Sequence, residues 1–497
     1  MHTPKEVLGL MEEMEWLAHV HLEELPWKNW THILSVLRQT ASDTPWTHLP
    51  SHILSTKILQ TLKKTGSLAL RDKLISQTPI GVRKLFGIRG LTPRRVRSFW
   101  KELGIVDLQS LYAACEAGRV GKLKGLGSRT EQKLLNTIGY VLHYQHHLRW
   151  DQAESWDLFF QKIYETLMGE KDSQENFMVS HEVEEVLGEL VYSCFCPDRE
   201  LLLSSLGSYS DLRIEDDKGS PFSIRGRVGS RDTPFHIRCL RRTPVLSRDS
   251  QDLSPIRLRG ILHVHTTYSD GKHSLEEQAL YCQRQGYEYV GISDHSISAF
   301  YAGGLDLPKI QSQHQEIDKL NRQLFPFRIF KGIEVDILKD GSLDYPDEVL
   351  RSFDFTIASI HSVLDMGIEK ATQRILTALS HPYTTFLGHP TGRILLERPG
   401  YPLDHERLLT ACAHHHVIPE INANPRRLDL DWRWIGPALE RGLQVSIHPD
   451  AHEKKGIHDV SYGILMARKG GAQAQHIFNT SSVDEVDSYF LHRREST

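Results

Sequence analysis

The chain has 497 residues, of which 39% are hydrophobic and 25% charged, with a formal net charge of −4. These values are ordinary for soluble globular protein, and the length exceeds the ~250–300 residues at which a single core stops growing, so several domains are expected. No run approaches the ~20 apolar residues of a membrane span, and the opening Met1-His2-Thr3-Pro4-Lys5-Glu6 lacks the layout of a secretory leader.

Six cysteines in so long a chain do not make a disulfide framework, which points to a reducing cytoplasm. Cys194 and Cys196 form the one close pair and are read as buried thiols. Residues 51–140 carry 17 Lys/Arg against 5 Asp/Glu, an excess of +12, so the remainder sums to −16. That asymmetry suggests a basic module for a polyanion joined to a differently specialised domain.

Residues 1–148 show helical spacing, with helices expected at Leu68–Ile75, Val96–Leu103 and Leu108–Ala117, their outer faces basic. Two Gly-containing turns precede helices. The first runs Gly90-Leu91-Thr92-Pro93-Arg94-Arg95, the second Leu123-Lys124-Gly125-Leu126-Gly127-Ser128-Arg129. A Gly-x-Gly turn at a helix start lets backbone N–H groups approach a phosphate, and Arg94, Arg95, Lys122, Lys124 and Arg129 add counter-charge. Gly90, Gly125 and Gly127 are the backbone positions concerned. In the first copy Thr92 takes the place of the second glycine.

Residues 149–256 are expected to hold an amphipathic helix from Trp156 to Leu167, strands near Phe222-Ser223-Ile224 and Phe235–Cys239, and a linker from Thr243 to Pro255. From Arg257 the pattern becomes strand–helix alternation. Apolar runs at Tyr289–Ser293, Phe355–Ile360 and Gln444–Ile447 are interleaved with helices at Leu275–Gln285, Glu369–Leu379 and His405–His414. Seven such strands suit a parallel barrel with its chemistry at the C-terminal strand ends.

Each of the seven runs ends in a potential metal ligand: His263 and His265, His295, Glu334, His361, His389, Glu420, and Asp450 with His452. Asp270 follows the first on a Ser269-Asp270-Gly271 turn. Alternation along a strand would point His263 and His265 to one side. Many rigid strand tips converging on one point can hold several ions, and mixed imidazole and carboxylate ligation suits zinc, manganese or iron rather than calcium. Seventeen of the 28 histidines follow residue 256. Of these, the His414-His415-His416 run is read as surface, His448 as outside the ligand pattern, and Asp294 and Asp336 as hydrogen-bonding neighbours of ligands. Trp432 and Trp434 are read as packing.

With these words the chain resembles the bacterial family X DNA polymerases that carry a C-terminal PHP (polymerase and histidinol phosphatase) domain. The resemblance implies a multidomain α + α/β protein: a lyase-like helical domain (1–80), a helix-hairpin-helix DNA-binding region (81–148), a degenerate nucleotidyltransferase-like palm remnant with linker (149–256), and a PHP phosphoesterase domain built as a distorted (β/α)7 barrel (257–497). The lyase turn is replaced by Leu49-Pro50-Ser51-His52-Ile53-Leu54-Ser55-Thr56, and Lys57, Lys63 and Lys64 are alternatives for the family's Schiff-base lysine. In the palm, the family's three carboxylates fall at Glu189, Val191 and His236, one acid of three, which implies no polymerase activity.

The PHP pattern is matched at His263, His265, Asp270, His295, Glu334, His361, His389, Asp450 and His452. By the resemblance, His263, His265, Glu334 and Asp450 hold one ion; Glu334, His361 and His389 a second; and Asp270, His295 and His452 a third. Glu334 and Asp450 would then be central to catalysis, with Arg393 and Lys272 as phosphate clamps. The expected function is a metal-dependent phosphodiesterase trimming DNA 3′ ends in repair, gripping the backbone through the hairpins. The alternatives are a small-molecule phosphatase of the histidinol-phosphatase sort and a non-catalytic DNA-binding scaffold. The oligomeric state is left open.

Overall fold

A computed structural model describes residues 3–25, 29–40, 51–65, 67–86, 88, 90–168, 177–179, 186–195, 199–215, 223–240 and 256–495. The expected linker (243–255), most of the stretch 180–189, Leu49, Pro50 and Cys196 lie outside the described residues. The chain divides into two compact units, residues 1–145 and 146–497.

The first unit is helical. Helix Pro4–His21 starts at a Thr3/Glu6 capping box, with Thr3 receiving the Glu6 N–H and Glu6 reaching back to the Thr3 N–H. Val7, Met11 and Met14 from this helix pack with Trp30, Leu34 and Leu62. A second core joins Leu17, Val96, Phe99, Leu111 and Ile138. The expected helices are present as Ala69–Gln77, Pro93–Leu103 and Leu108–Glu116, followed by Ser128–His143.

Thr92 caps helix Pro93–Leu103, accepting from Arg95 N at 3.4 Å. Gly90 before it has φ +86°. Gly125 in the second turn has φ +81°, where an L side chain is strained, and a Cβ at either Gly125 or Gly127 would meet open space. The backbone is therefore uncovered at the start of helix Ser128–His143.

In the second unit, residues 146–240 form a five-stranded mixed sheet with strands in the order Phe177–Val179, Leu190–Phe195, Thr233–Leu240, Ser223–Val228, Leu212–Ile214. Helix Trp150–Met168 packs Phe160 and Tyr164 against Leu190, Tyr192 and Phe235. Val191 lies directly opposite His236 in the parallel pairing, and Glu189 is exposed beside them.

Seven parallel strands follow: β1 (Gly260–Val264), β2 (Tyr289–Ile292), β3 (Arg328–Asp336), β4 (Phe355–Ser359), β5 (Phe386–Leu387), β6 (Ile418–Asn422) and β7 (Ser446–His448). They pair in simple sequential order. The circle is nearly closed by a parallel bridge from Val264 to Ala451, with His265 N donating to Ala451 O at 2.9 Å and Ala451 N to His263 O at 3.2 Å. Most strand residues are buried on both faces, which is why these runs read as continuously apolar. Phe330, Phe355 and Phe386 pack with Phe478 and with Phe490 of the last helix, Val483–Glu495. Phe355 and Phe490 stack at 5.2 Å between centroids, adding about 1 kcal/mol beyond area burial. The C-terminal strand ends carry the polar side chains considered next.

Candidate metal centre

Glu334, near the end of β3, is the hub. It is 1% exposed, and its Oε1 lies 2.9 Å from His389 Nε2, 3.2 Å from His361 Nε2 and 3.4 Å from His263 Nε2. Its Oε2 lies 2.9 Å from His295 Nδ1 and 3.7 Å from His265 Nε2. Five imidazoles from β1, β2, β4 and β5 thus converge on one carboxylate. Burial alone would favour its neutral form, but His361, His295 and His263 hold it well below the usual range.

Asp450, past β7, lies 3.2 Å from His265 Nε2 and 3.6 Å from His263 Nε2. Asp270 lies 3.4 Å from His452 Nε2, 3.7 Å from His295 Nε2 and 3.8 Å from His265 Nδ1. Four donor groups suited to a metal are found among the described residues: His265, Asp270, His295 and His452; His263, His265 and Asp450; His295, Glu334 and His361; and His263, Glu420 and His448. All nine sequence-matched positions lie in this one region, although the groups share more members than the expected sets, in which Glu334 alone was shared, and His389 falls in none of them.

The donor set fits metal ions on a direct test. His263 Nε2, both nitrogens of His265, His295 Nδ1, His389 Nδ1 and Glu334 Oε2 are buried and make no well-aligned hydrogen bond among the described residues, although several lie close to one another or to a carboxylate. A fold rarely leaves so many buried polar atoms unsatisfied unless something else satisfies them. His265 is held far down, to about 3, by burial and by its neighbours His452 and His295, so it presents lone pairs rather than a charge.

Local structure explains how the strands aim these groups. His263 and His265 do not share a side by simple alternation. β1 breaks register between Ile261 and Val264, and His263 sits at φ +63°. Asp450 is also left-handed, at φ +52°. Such backbone costs ~1–3 kcal/mol and is found where a site demands it. The turn carrying Asp270 is gripped by Asp294, which accepts from Thr266 N and Thr266 Oγ1 at 2.7 Å, from Ser269 Oγ at 2.5 Å and from Gln313 Nε2 at 2.7 Å. A Cβ on Gly271 would come within 2.5 Å of the His265 backbone, so that turn needs glycine.

Carboxylates also orient the imidazoles from behind. Glu420 Oε2 pairs with His263 Nδ1 at 2.7 Å and with His448 Nδ1 at 3.2 Å. Burial opposes its charge, yet these two histidines bring its pKa down to about 2. Asp336 hydrogen-bonds His361 Nδ1. Asp429 receives Thr391 N, Thr391 Oγ1 and Gly392 N, fixing the segment after His389. Of these carboxylates Glu420 was expected only as a strand-end ligand, and Asp429 was missed altogether. Its sequence signal was its place in Arg427-Leu428-Asp429, beside the strand-end words.

A cavity of about 370 Å³ opens onto the centre, lined by Lys272, Asn424, Arg426, Arg427, Asp450 and His452, among others. The clamp expected of Arg393 is corrected here. Its guanidinium donates to the carbonyls of Arg427 and Leu428 and pairs with Asp431 at 2.7 Å, so it braces a loop instead. Arg427 lines the cavity, its Nε 3.3 Å from Asp450 Oδ2. Lys272 stands at the cavity rim, paired with Glu453 at 3.1 Å. His414 and His416 are exposed and away from the centre, and Trp434 stacks on His405 at 4.5 Å as packing.

Comparison with known proteins places this geometry. The PHP domain model matches residues 262–394. The chain is 29% identical over 508 aligned positions to "DNA polymerase/3'-5' exonuclease PolX" of Bacillus subtilis, covering 86% of this chain and 88% of that protein. It is 25% identical to a "Probable phosphatase" of Thermoanaerobacter sp., covering 47% of this chain and 94% of that one. A solved histidinol phosphate phosphatase from Lactococcus lactis, complexed with zinc, L-histidinol and phosphate, aligns at 17% identity and a TM-score of 0.33 over 43% of this chain and 94% of that one. The chain is thus similar over most of its length to a PolX-type polymerase and carries a C-terminal PHP domain, which marks it as a metal-dependent hydrolase. No helix among the described residues is long and apolar enough to cross a membrane.

Proposed function

We propose that this PHP-bearing chain is a metal-dependent phosphodiesterase that trims DNA from the 3′ end, and that it does not polymerise. The observation carrying the proposal is the hub: Glu334, buried within 3.7 Å of five imidazoles at the mouth of a barrel. The nine matched residues are the proposed ligands. His263, His265 and Asp450 would hold one zinc, manganese or iron ion, Glu334, His361 and His389 a second, and Asp270, His295 and His452 a third.

Ions bound there would supply an activated water near neutral pH and would neutralise charge at phosphorus. The chain's own groups do the rest. Asp270, Glu334 and Asp450 give the cavity floor the negative charge that selects cations. Arg427 holds a phosphoryl oxygen over that floor, and Glu420 and Asp336 keep His263 and His361 turned toward it.

Two further features support DNA as the substrate, and a third argues against polymerisation. The excess of +12 lies in the helical unit with the two turns, where uncovered backbone at Gly125 and Gly127 meets Lys124 and Arg129. Contacts of that kind grip a phosphate backbone without reading bases. The relative from Bacillus subtilis is named as both polymerase and 3′-5′ exonuclease. In the palm places of this chain Val191 faces His236, and Glu189 is the lone acid, too few carboxylates for two ions and a triphosphate. The five cysteines described are buried free thiols, in keeping with the cytoplasm.

The test is a 5′-labelled oligonucleotide with manganese, wild type beside Glu334→Ala. Shortening from the 3′ end by the wild type alone supports the proposal. Turnover of phosphomonoesters with no cleavage of any nucleic acid would move the reading to a small-molecule phosphatase. Salt-sensitive DNA binding without hydrolysis of anything would leave a scaffold.

A further inference from the structure

The segment after β2 leaves His295, makes a tight loop over Ser296–Leu305, and returns to its own start, with Leu305 N donating to the His295 carbonyl at 2.9 Å. It is tied on every side. Ser298 N donates to Asp344 Oδ2 at 2.6 Å and Ile297 N to the Tyr345 hydroxyl at 3.1 Å. Lys309 Nζ bridges the carbonyls of Gly303, at 2.6 Å, and Tyr268, at 3.2 Å, which fastens the loop to the turn bearing Asp270.

This rigid loop holds two aromatic rings out in water. Phe300 is 85% exposed and Tyr301 64%. The Tyr301 ring centroid lies 6.4 Å from that of His295, and Phe300 lies 6.3 Å further along at 76°. A phenyl ring in water forgoes ~25 cal/mol for each Å² it leaves unburied. The hydrogen-bonded loop fixes where the backbone carries the ring. The rings therefore step outward from the candidate ligands: imidazole, phenol, phenyl.

We propose that Phe300, with Tyr301 set edge-on beside it, offers a stacking face for the unpaired 3′-terminal nucleobase of a DNA strand whose scissile phosphate lies at the metal centre. The inference rests on the nuclease reading above and adds to it the form of DNA accepted. A nucleotide separates its charged phosphate from its flat base by one sugar. The centre matches that layout, with cation-binding groups and Arg427 on the floor and π faces at the rim. Stacking tolerates every base because every base has a π face, which suits an enzyme that must remove any nucleotide in turn. A base within duplex DNA is already stacked and paired and must first be freed, at a cost of a few kcal/mol. The platform thus favours single-stranded or frayed ends. A small phosphomonoester without an aromatic group would leave both rings wet.

The experiment compares wild type, Phe300→Ala and Phe300→Trp on a single-stranded oligonucleotide and on the same strand ending in an abasic 3′ nucleotide. Phe300 is exposed, so neither substitution removes a core contact. On the ordinary end Phe300→Ala is expected to raise KM about tenfold with kcat within about twofold, and Phe300→Trp to restore it. On the abasic end wild type loses that same factor and coincides with Phe300→Ala. A wild-type KM for Phe300→Ala, or indifference of the wild type to the missing base, overturns the platform while leaving the nuclease standing. A wild type that cleaves neither strand overturns the nuclease reading and the platform with it.

Discussion

Glu420 Oε2 lies 2.7 Å from His263 Nδ1, and both side chains are fully buried. The pair fixes the ring: with Nδ1 occupied by the carboxylate, Nε2 faces Glu334 and Asp450. Glu420→Gln keeps the volume and weakens that hold. Metal affinity, read by titrating chelator-stripped protein with zinc, is expected to fall about 10- to 100-fold. Unchanged affinity would show that Glu420 is a packing residue only.

Arg427 and Arg393 separate in a paired substitution. Arg427→Ala should lower kcat/KM on DNA by about 10- to 100-fold while the thermal midpoint stays within about 2 °C, since it removes a charged donor at the cavity. Arg393→Ala should instead lower the midpoint, because two carbonyls and Asp431 lose their donor, at about 1–3 kcal/mol. The reverse pattern would restore the clamp to Arg393.

Metal should stabilise the barrel as well as activate it. Chelation is expected to lower the melting midpoint by about 5–10 °C, with recovery on adding zinc or manganese. The recovery should be largely absent in Glu334→Ala. Calorimetry or dye-based melting decides it.

The helical unit should bind DNA by charge. Replacing Lys124 and Arg129 together with alanine should weaken binding to every sequence alike and reduce the slope of log K against log salt by about 2, or about 1 per lost phosphate contact. Fluorescence anisotropy over a salt series measures the slope. Gly125→Ala, at φ +81°, should cost about 1 kcal/mol of stability besides.

His314 sets an acid limit on the barrel. Burial, with help from Lys331, depresses its pKa from the ordinary 6.5 to about 4, and its ring packs edge-on against Phe353 at 4.9 Å. Between pH 6.5 and 4 the unfolded chain binds more protons at this group than the folded one. The stability it contributes is therefore whole above pH 6.5 and lost as pH falls toward 4. After allowing for solvent screening the loss is about 1–2 kcal/mol. In His314→Gln the acid slope of the urea midpoint should shrink by that amount. Metal binding itself depends on pH, so both proteins are compared with chelator present.

The strand runs and the polar side chains that end them were legible because a strand tip is a local object. An apolar run of four or five residues followed by His, Asp or Glu states in one dimension both where the chain is buried and where it surfaces. The helices at Ala69–Gln77, Pro93–Leu103 and Leu108–Glu116 were legible for the same reason, their 3.6-residue period lying within a single segment. Helix Trp150–Met168 began six residues earlier than expected, where periodicity is a weak guide to an end.

What the sequence determined by itself is thus the inventory: seven strands, nine candidate ligands and a basic helical unit. Arg393 shows what it could not determine. Its neighbours at Arg427, Leu428 and Asp431 are more than thirty positions away, and a guanidinium in a conserved-looking word reads the same whether it meets substrate or a carbonyl. The left-handed turn at His263, the grip of Glu420 behind it and the reach of Tyr301 toward His295 are likewise relations between segments. They exist only once the barrel closes, because closure sets which side chains compete for the same few ångströms.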